Sequence, residues 1–264
     1  SEGKITVEDL KEIMRITLSD PTLLKLMGKK DYNNPKDLKK FKELMHKNSD
    51  WAELHRKEYP ETWKFKQGME MSAEEVFRKA IRYQSYWKNG GGITVSGGEA
   101  LAQIDFLIEL FEICHKHHIH TTLDTSGNPY TKNPEWYAKF ERLMKVTDLV
   151  LLDIKEMNMV THKKLTGWSN ENILELARDL SDRKLPVWIR HVLVPGITAN
   201  DEDLIQLKNF IDTLENVERV EILPYHAMAK VEYEHLGIPY PIPDIPQPTA
   251  QEILHAEGIL GIKK

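Results

Sequence analysis

Five stretches of the sequence place polar or glycyl residues directly after a short apolar, β-branched run. Ile93–Val95 is followed by Ser96-Gly97-Gly98-Glu99, and Thr121–Leu123 by Asp124-Thr125-Ser126-Gly127. Leu151-Leu152 leads to Asp153-Ile154-Lys155. Val187–Val194 holds Arg190 and His191 before Pro195-Gly196, and Val220–Leu223 runs into Pro224-Tyr225-His226. Carboxylates accept a cation or an ammonium group, while Lys and Arg take a carboxylate. Each stretch also has a structural reading. The glycine pair makes a tight turn, Glu99 suits a helix start, Asp124 and Asp153 cap turns, and Arg190 pairs with either. Five polar strand ends in one chain are harder to attribute to structure, because buried charges are costly unless paired. A ligand with both charged and apolar parts accounts for them together.

The elements that must position these residues follow from periodicity. Strands are expected at Ile93–Val95, Thr121–Leu123, Leu149–Ile154, Val187–Val194 and Val220–Leu223, with helices over 100–118, 134–145, 171–183 and 202–214. Ser72 and Glu75 have capping-box spacing ahead of Val76, and Asn133-Pro134 is a cap followed by a first-turn proline. Strand and helix alternate, which predicts an α/β fold with a parallel series whose functional face lies at the strands' carboxyl ends. Residues 1–70 read as a Lys-rich helical segment or insertion, and 71–264 as the βα unit. Its Pro-rich tail (Pro239, Pro241, Pro243, Pro246, Pro248) is expected to wrap the unit before a last helix near 249–258.

Composition sets bounds. The 264 residues include 41 acidic and 36 Lys+Arg side chains, a formal net charge of −5 that argues against nucleic acid as a partner. No run reaches the ~18 apolar residues of a membrane span and no signal peptide opens the sequence, so a cytoplasmic protein is expected. The sole cysteine, Cys114, excludes an internal disulfide and any multi-cysteine metal cluster built from this chain alone. Cys114 and His118 stand one helical turn apart at metal-like spacing. At a helix end, the local His and Lys are better explained by the carbonyl pole of that helix.

The stretch Gly90-Gly91-Gly92-Ile93-Thr94-Val95-Ser96-Gly97-Gly98-Glu99-Ala100 resembles the diagnostic segment of the pyruvate formate-lyase activating enzymes, which are radical S-adenosylmethionine (SAM) enzymes. The likeness continues through His120–Gly127, Asp148–Lys155, Pro186–Gly196, Ile222–His226 and Leu236–Tyr240, in order and at matching spacing. It implies a partial (β/α)6 TIM-like barrel with SAM inside its top. Carried over, Gly97, Gly98 and Glu99 receive the methionine amino group, and Lys155, Arg190 and His226 contact the carboxylate, ribose or adenosine. Asp124, Thr125, Asp153 and the Leu151 carbonyl hold a monovalent cation, Na+ or K+. The resemblance further implies an oxidoreductase of anaerobic glucose metabolism. Its reduced [4Fe–4S] cluster cleaves SAM, and the resulting radical removes a hydrogen from a glycine of a pyruvate formate-lyase-type glycyl radical enzyme. A flavodoxin or ferredoxin-type protein is the expected reductant.

One departure stands out. The family's cluster is held by Cys-x3-Cys-x2-Cys, and three thiolates are needed to hold the iron, yet that motif does not occur in this sequence. No catalytic or iron–sulfur residue is therefore assigned, and the chain in isolation is expected to be inactive. Two alternatives stay open: a cluster-less SAM-binding or lyase-docking protein without radical chemistry, and an unrelated barrel lyase or aldolase using Asp153, Lys155 and His226.

Overall fold

A computed structural model describes residues 70–87, 90–227 and 245–262. Two compact units are distinguished, Ser1–Met69 with Ala227–Asp244 and Glu70–His226 with Ile245–Lys264. The sheet and its helices belong to the second. The expectations for residues 1–69 and for Pro239, Pro241 and Pro243 of the tail lie outside the described residues.

The βα alternation read from the sequence is realised. In chain order the elements are α1 (Ala73–Ala80), β1 (Gly92–Val95), α2 (Ile104–Lys116), β2 (His120–Thr125), α3 (Pro134–Met144), β3 (Leu149–Asp153), α4 (Met159–Thr166), α5 (Glu171–Asp182), β4 (Val187–Leu193), α6 (Asp201–Ile211), β5 (Val217–Pro224) and α7 (Ala250–Leu260). The strands form one sheet in the order β1-β2-β3-β4-β5, every pair parallel. Among the described residues the sheet has five strands and does not close, as in a partial barrel.

Local chemistry sets the element ends. Ser72 and Glu75 form the expected reciprocal capping box on α1, and Thr249 with Glu252 does the same on α7. Asn133 caps α3 with Pro134 in its first turn. The expected helix over 100–118 is split into a 3-10 turn, Ala100–Gln103, and α2. The sequence reading passed over α4, although Asn158 caps its start and Gly167, at φ 82°, stops it in the left-handed conformation that glycine adopts freely. Gly92 is needed for a different reason. A Cβ there would lie 1.9 Å from the His120 carbonyl oxygen of the neighbouring strand.

Strand alternation divides the sheet into two faces. Leu123, Val150, Leu152, Val187, Ile189 and Leu193 are buried and join the core with α2, α3, α5 and α6, whose Leu107, Phe111, Phe140, Leu176 and Leu207 are all within 1% of full burial. Each such side chain contributes about 1.5–3 kcal/mol by leaving water. The other, inner face carries Asp124, Leu151, Trp188 and Arg219 in one register layer and Asp153, Arg190 and Glu221 in the next.

On the helix side, α3 and α5 are locked by a polar knot. Asp179 accepts from Tyr130 Oη (2.7 Å), Tyr137 Oη (2.6 Å) and Arg183, and Arg183 also donates to Tyr137 Oη (2.9 Å). Burial pushes the Asp179 carboxyl up, but the bonds from Tyr137, Tyr130 and Arg183 outweigh it and hold the carboxyl below its ordinary value. A group with a depressed folded value stabilises the fold above its unfolded value and loses that contribution as pH falls. Asp179→Asn is expected to lower the stability of the unit by about 2 kcal/mol at pH 7. The difference from wild type should shrink below about pH 4, as read from urea midpoints across pH.

Candidate functional site

The carboxyl ends of β1 to β4 bring five charged residues and one glycine turn to a common rim. After β1, Gly97 turns at φ 137° and Glu99 caps the following 3-10 turn. Glu99 Oε1 accepts from Leu101 N (2.9 Å) and Thr125 Oγ1 (2.5 Å). Its Oε2 accepts from Ser126 N (2.9 Å) and Ser126 Oγ (2.5 Å). Four donors on two oxygens make this carboxylate the tie between the β1 and β2 loops. A Cβ added at Gly97 or Gly98 would meet no atom within 4 Å, so the backbone of the turn is accessible at close range.

At the ends of β2, β3 and β4 the inner face holds an ion cluster. Arg190 Nε donates to Asp153 Oδ1 (2.9 Å), and its Nη2 reaches both Asp153 Oδ1 (2.8 Å) and Asp124 Oδ1. Lys155 Nζ stands 3.4 Å from the other oxygen of Asp153. One guanidinium thus spans three adjacent strands. Burial disfavours the charge on Arg190, but the two carboxylates outweigh that and strengthen its hold on the proton. Beside this cluster the Arg219 guanidinium lies over the Trp188 ring (4.9 Å) and pairs with Glu221 (2.8 Å).

Of the residues expected from the sequence, Asp124, Asp153, Lys155 and Arg190 are brought into one cluster, with Leu151 beside Asp124 in the register. Thr125 is not. Its side chain is buried on the opposite face from Asp124, where its hydroxyl donates to Glu99 and accepts from Gly127 N (2.9 Å). His226 is exposed just beyond β5. Cys114 is fully buried on α2, where burial pushes its thiol up to about 11. Among the described residues no group of three His, Cys, Asp or Glu side chains suits a metal ion.

A buried polar band beneath the β3–α4 loop escaped sequence reasoning. Asn170 Nδ2 donates to the carbonyls of Glu156 (3.0 Å) and Met157 (2.8 Å), and His162 Nδ1 lies 2.8 Å from the Trp168 carbonyl. Glu156 is 1% exposed. Its Oε1 accepts from Asn158 N (2.9 Å), while burial, and then the charge of Asp203, hold the carboxyl above its ordinary value. The only signal in the sequence was Glu156 and His162 in an otherwise unassigned segment.

A parallel sheet with a polar rim of this kind has known counterparts. Residues 51–208 match the family described as the Radical SAM superfamily. The "Pyruvate formate-lyase-activating enzyme" of Streptococcus mutans is 51% identical over 203 residues, covering 76% of this chain and 77% of that protein. The enzyme of the same name from Listeria monocytogenes is 48% identical over 202 residues, covering 76% and 82%. A solved domain of pyruvate-formate lyase-activating enzyme from Bacteroides vulgatus superposes with a TM-score of 0.53 at 25% identity, covering 65% of this chain and 94% of that one. The chain belongs to the pyruvate formate-lyase-activating enzyme family of the radical SAM superfamily. Membership removes the alternative of an unrelated barrel lyase.

Two outcomes follow from the geometry. Arg190→Gln leaves Asp124 and Asp153 without their shared cation in a half-buried setting, and should cost about 2–3 kcal/mol at pH 7. Thermal unfolding of the variant beside the wild type checks this. Glu156 has a raised folded value, so the native state is penalised as pH rises past the unfolded value. Glu156→Gln should therefore raise the denaturation midpoint at pH 8 and leave it unchanged at pH 3.5.

Proposed function

We propose that the rim binds S-adenosylmethionine, in the manner of the activating enzymes, but that this chain does not cleave it reductively without cluster ligands from elsewhere. The first half of the reading is carried by the Asp124–Arg190–Asp153–Lys155 cluster at the strand ends of a chain of this family. The ligand's methionine part is zwitterionic and its adenosine is largely apolar, and the donor set suits it. Lys155 and Arg190 take the carboxylate. Asp124 and Asp153, with the Leu151 carbonyl, hold a monovalent cation beside it. Thr125 contributes there through its backbone, since its hydroxyl is committed to Glu99. The backbone of Gly97, Gly98 and Glu99 receives the amino group, because the Glu99 carboxylate already has four donors. His226, exposed at the rim, is left for the ribose or adenine. When bound, the ligand supplies a sulfonium that activates its own carbon–sulfur bonds.

An iron–sulfur cluster does not fit the residues of this chain. A [4Fe–4S] site needs several thiolates, whereas the sequence has one cysteine, buried in the helix layer with its thiol pushed toward the protonated form. Where a cluster-bearing polypeptide completes the site, the partner is a glycyl radical enzyme of the pyruvate formate-lyase type, with a flavodoxin or ferredoxin-type reductant. The single cysteine also favours a second reading, a SAM-binding or lyase-docking protein that performs no radical chemistry. A cytoplasmic location belongs with either reading. No described helix is long and apolar enough to cross a membrane.

Calorimetric titration of S-adenosylmethionine into the full chain, in sodium or potassium salt, tests the binding. Micromolar affinity is expected for the wild type, with a loss of tenfold or more for Asp153→Ala. Absence of heat at millimolar ligand would overturn it. Anaerobic treatment with iron and sulfide followed by reduction should yield no 5′-deoxyadenosine, and its detection by chromatography would overturn the second half of the reading.

A further inference from the structure

His191 follows Arg190 on β4, so alternation sends the guanidinium to the inner face and the imidazole to the helix-packed face directly behind it. The ring is 3% exposed and lies between two backbone carbonyls: Nδ1 is 2.9 Å from Ile154 O and Nε2 is 3.1 Å from Thr198 O. Neither acceptor is incidental. Ile154 sits between Asp153 and Lys155, both members of the ion cluster, and its own N–H donates to the Arg190 carbonyl (3.0 Å). Both backbone polar groups of Ile154 are thus tied to the Arg190-His191 dipeptide, one through the main chain and one through the ring.

The second carbonyl belongs to an anchored loop. Thr198 Oγ1 donates to Val192 O (2.6 Å) and accepts from Val194 N (2.8 Å), and Thr198 N donates to Val194 O (3.0 Å). This folds the β4–α6 loop back onto the end of its own strand. The ring therefore joins a fixed point, Thr198, to the place where the chain leaves β3 between two ligand-facing residues. Carbonyl oxygens only accept, and a neutral imidazole carries one N–H, so the ring donates to one of the two at a time, and the tautomer with hydrogen on Nδ1 ties it to Ile154. Removing the ring takes the shared donor away from the two carbonyls.

We infer that His191 is a positioning residue for the ligand site: through Ile154 it sets the spacing of Asp153 and Lys155 from Arg190. The inference rests on the reading of the inner-face cluster as the S-adenosylmethionine site, but its geometric half does not need the ligand. The Arg190 Nε–H bond to Asp153 reports that spacing directly.

The test uses the full chain, labelled with 15N and 13C, in four forms: wild type, His191→Phe, His191→Asn and His191→Gln. In the wild type a through-hydrogen-bond coupling between His191 Nδ1 and the Ile154 carbonyl carbon is expected, and its absence would remove the clamp. His191→Phe should move the Arg190 Nε–H resonance toward the position of a free arginine. Asn carries an amide nitrogen near the place of Nδ1 and Gln one near the place of Nε2. The Ile154 link is the one that matters, so Asn should restore the resonance and Gln should not. A merely structural histidine predicts no such order, and restoration by Gln alone overturns the proposal, as does an Arg190 signal unmoved in all variants. If His191→Phe does not fold, the Asn–Gln pair and the wild-type coupling still decide. Calorimetry separates the two readings. Affinity for S-adenosylmethionine should fall about tenfold in His191→Phe, the equivalent of losing roughly one charge-assisted bond. A wild type that binds no ligand, together with an Arg190 signal that moves, overturns the SAM reading and leaves the positioning role intact.

Discussion

Two aspartates on neighbouring strands point toward the same side of the sheet near its carboxyl edge, and one arginine from the next strand bridges both. Without that guanidinium, Asp124 and Asp153 would face each other half-buried, and the ends of β2 and β3 would be driven apart by charges that water only partly screens. The register makes the arrangement possible. Asp153 and Arg190 are paired residues, while Asp124 lies one layer lower and one strand further on, within reach of a long side chain. A parallel sheet has no short hairpins to pin its strand ends, so a polar bridge across three of them takes over part of that task.

The rim contains two kinds of ionic contact, and they differ in what a ligand can displace. The Glu99 carboxylate takes four donors, one from its own turn and three from Thr125 and Ser126, and a competing ammonium would have to break several of them at once. Arg190 and Lys155 hold Asp153 less completely, with side-chain exposures of 16% and 36% and a Lys155 contact of 3.4 Å. A ligand carboxylate that displaced Asp153 from Arg190 would leave that aspartate half-buried without its cation, so an exchange on this side needs another cation to take its place. Glu99 is therefore the more firmly held of the two carboxylates, and the Lys155 contact is the longest ionic tie of the cluster.

Much of the scaffold was legible from β-branched runs and caps. Val187–Val194 and Leu149–Ile154 announce buried parallel strands because both of their faces lack a continuous polar stripe, and Asn133-Pro134 marks a helix start chemically. The segment 159–166 escaped because Met159, Val160 and His162 give little amphipathic contrast, so only its Asn and Gly end signals could have found it. At the site, residue type predicted who gathers: Asp124, Asp153, Lys155 and Arg190. It did not predict direction. Thr125 sits next to Asp124 in sequence and on the opposite face in space, and Glu99 spends its charge on Ser126 and Thr125. Side-chain partners outside the strand depend on loop paths that no local pattern encodes, which is also why the roles of His191 and Glu156 were invisible.

The single cysteine bears on how the fold relates to its chemistry. Cys114 packs among Leu107, Phe111 and their neighbours as a small apolar group, and burial outweighs the one backbone hydrogen bond that would favour a thiolate. The polar rim, by contrast, is assembled mainly from the ends of β1 to β4 and the loops that follow them. The two halves of the family's chemistry are therefore separable in physical terms. Recognition of a charged, adenosine-bearing ligand needs only carboxylates, cations and a glycine turn on a parallel sheet, whereas electron delivery needs soft sulfur donors that a sheet rim of this composition does not supply.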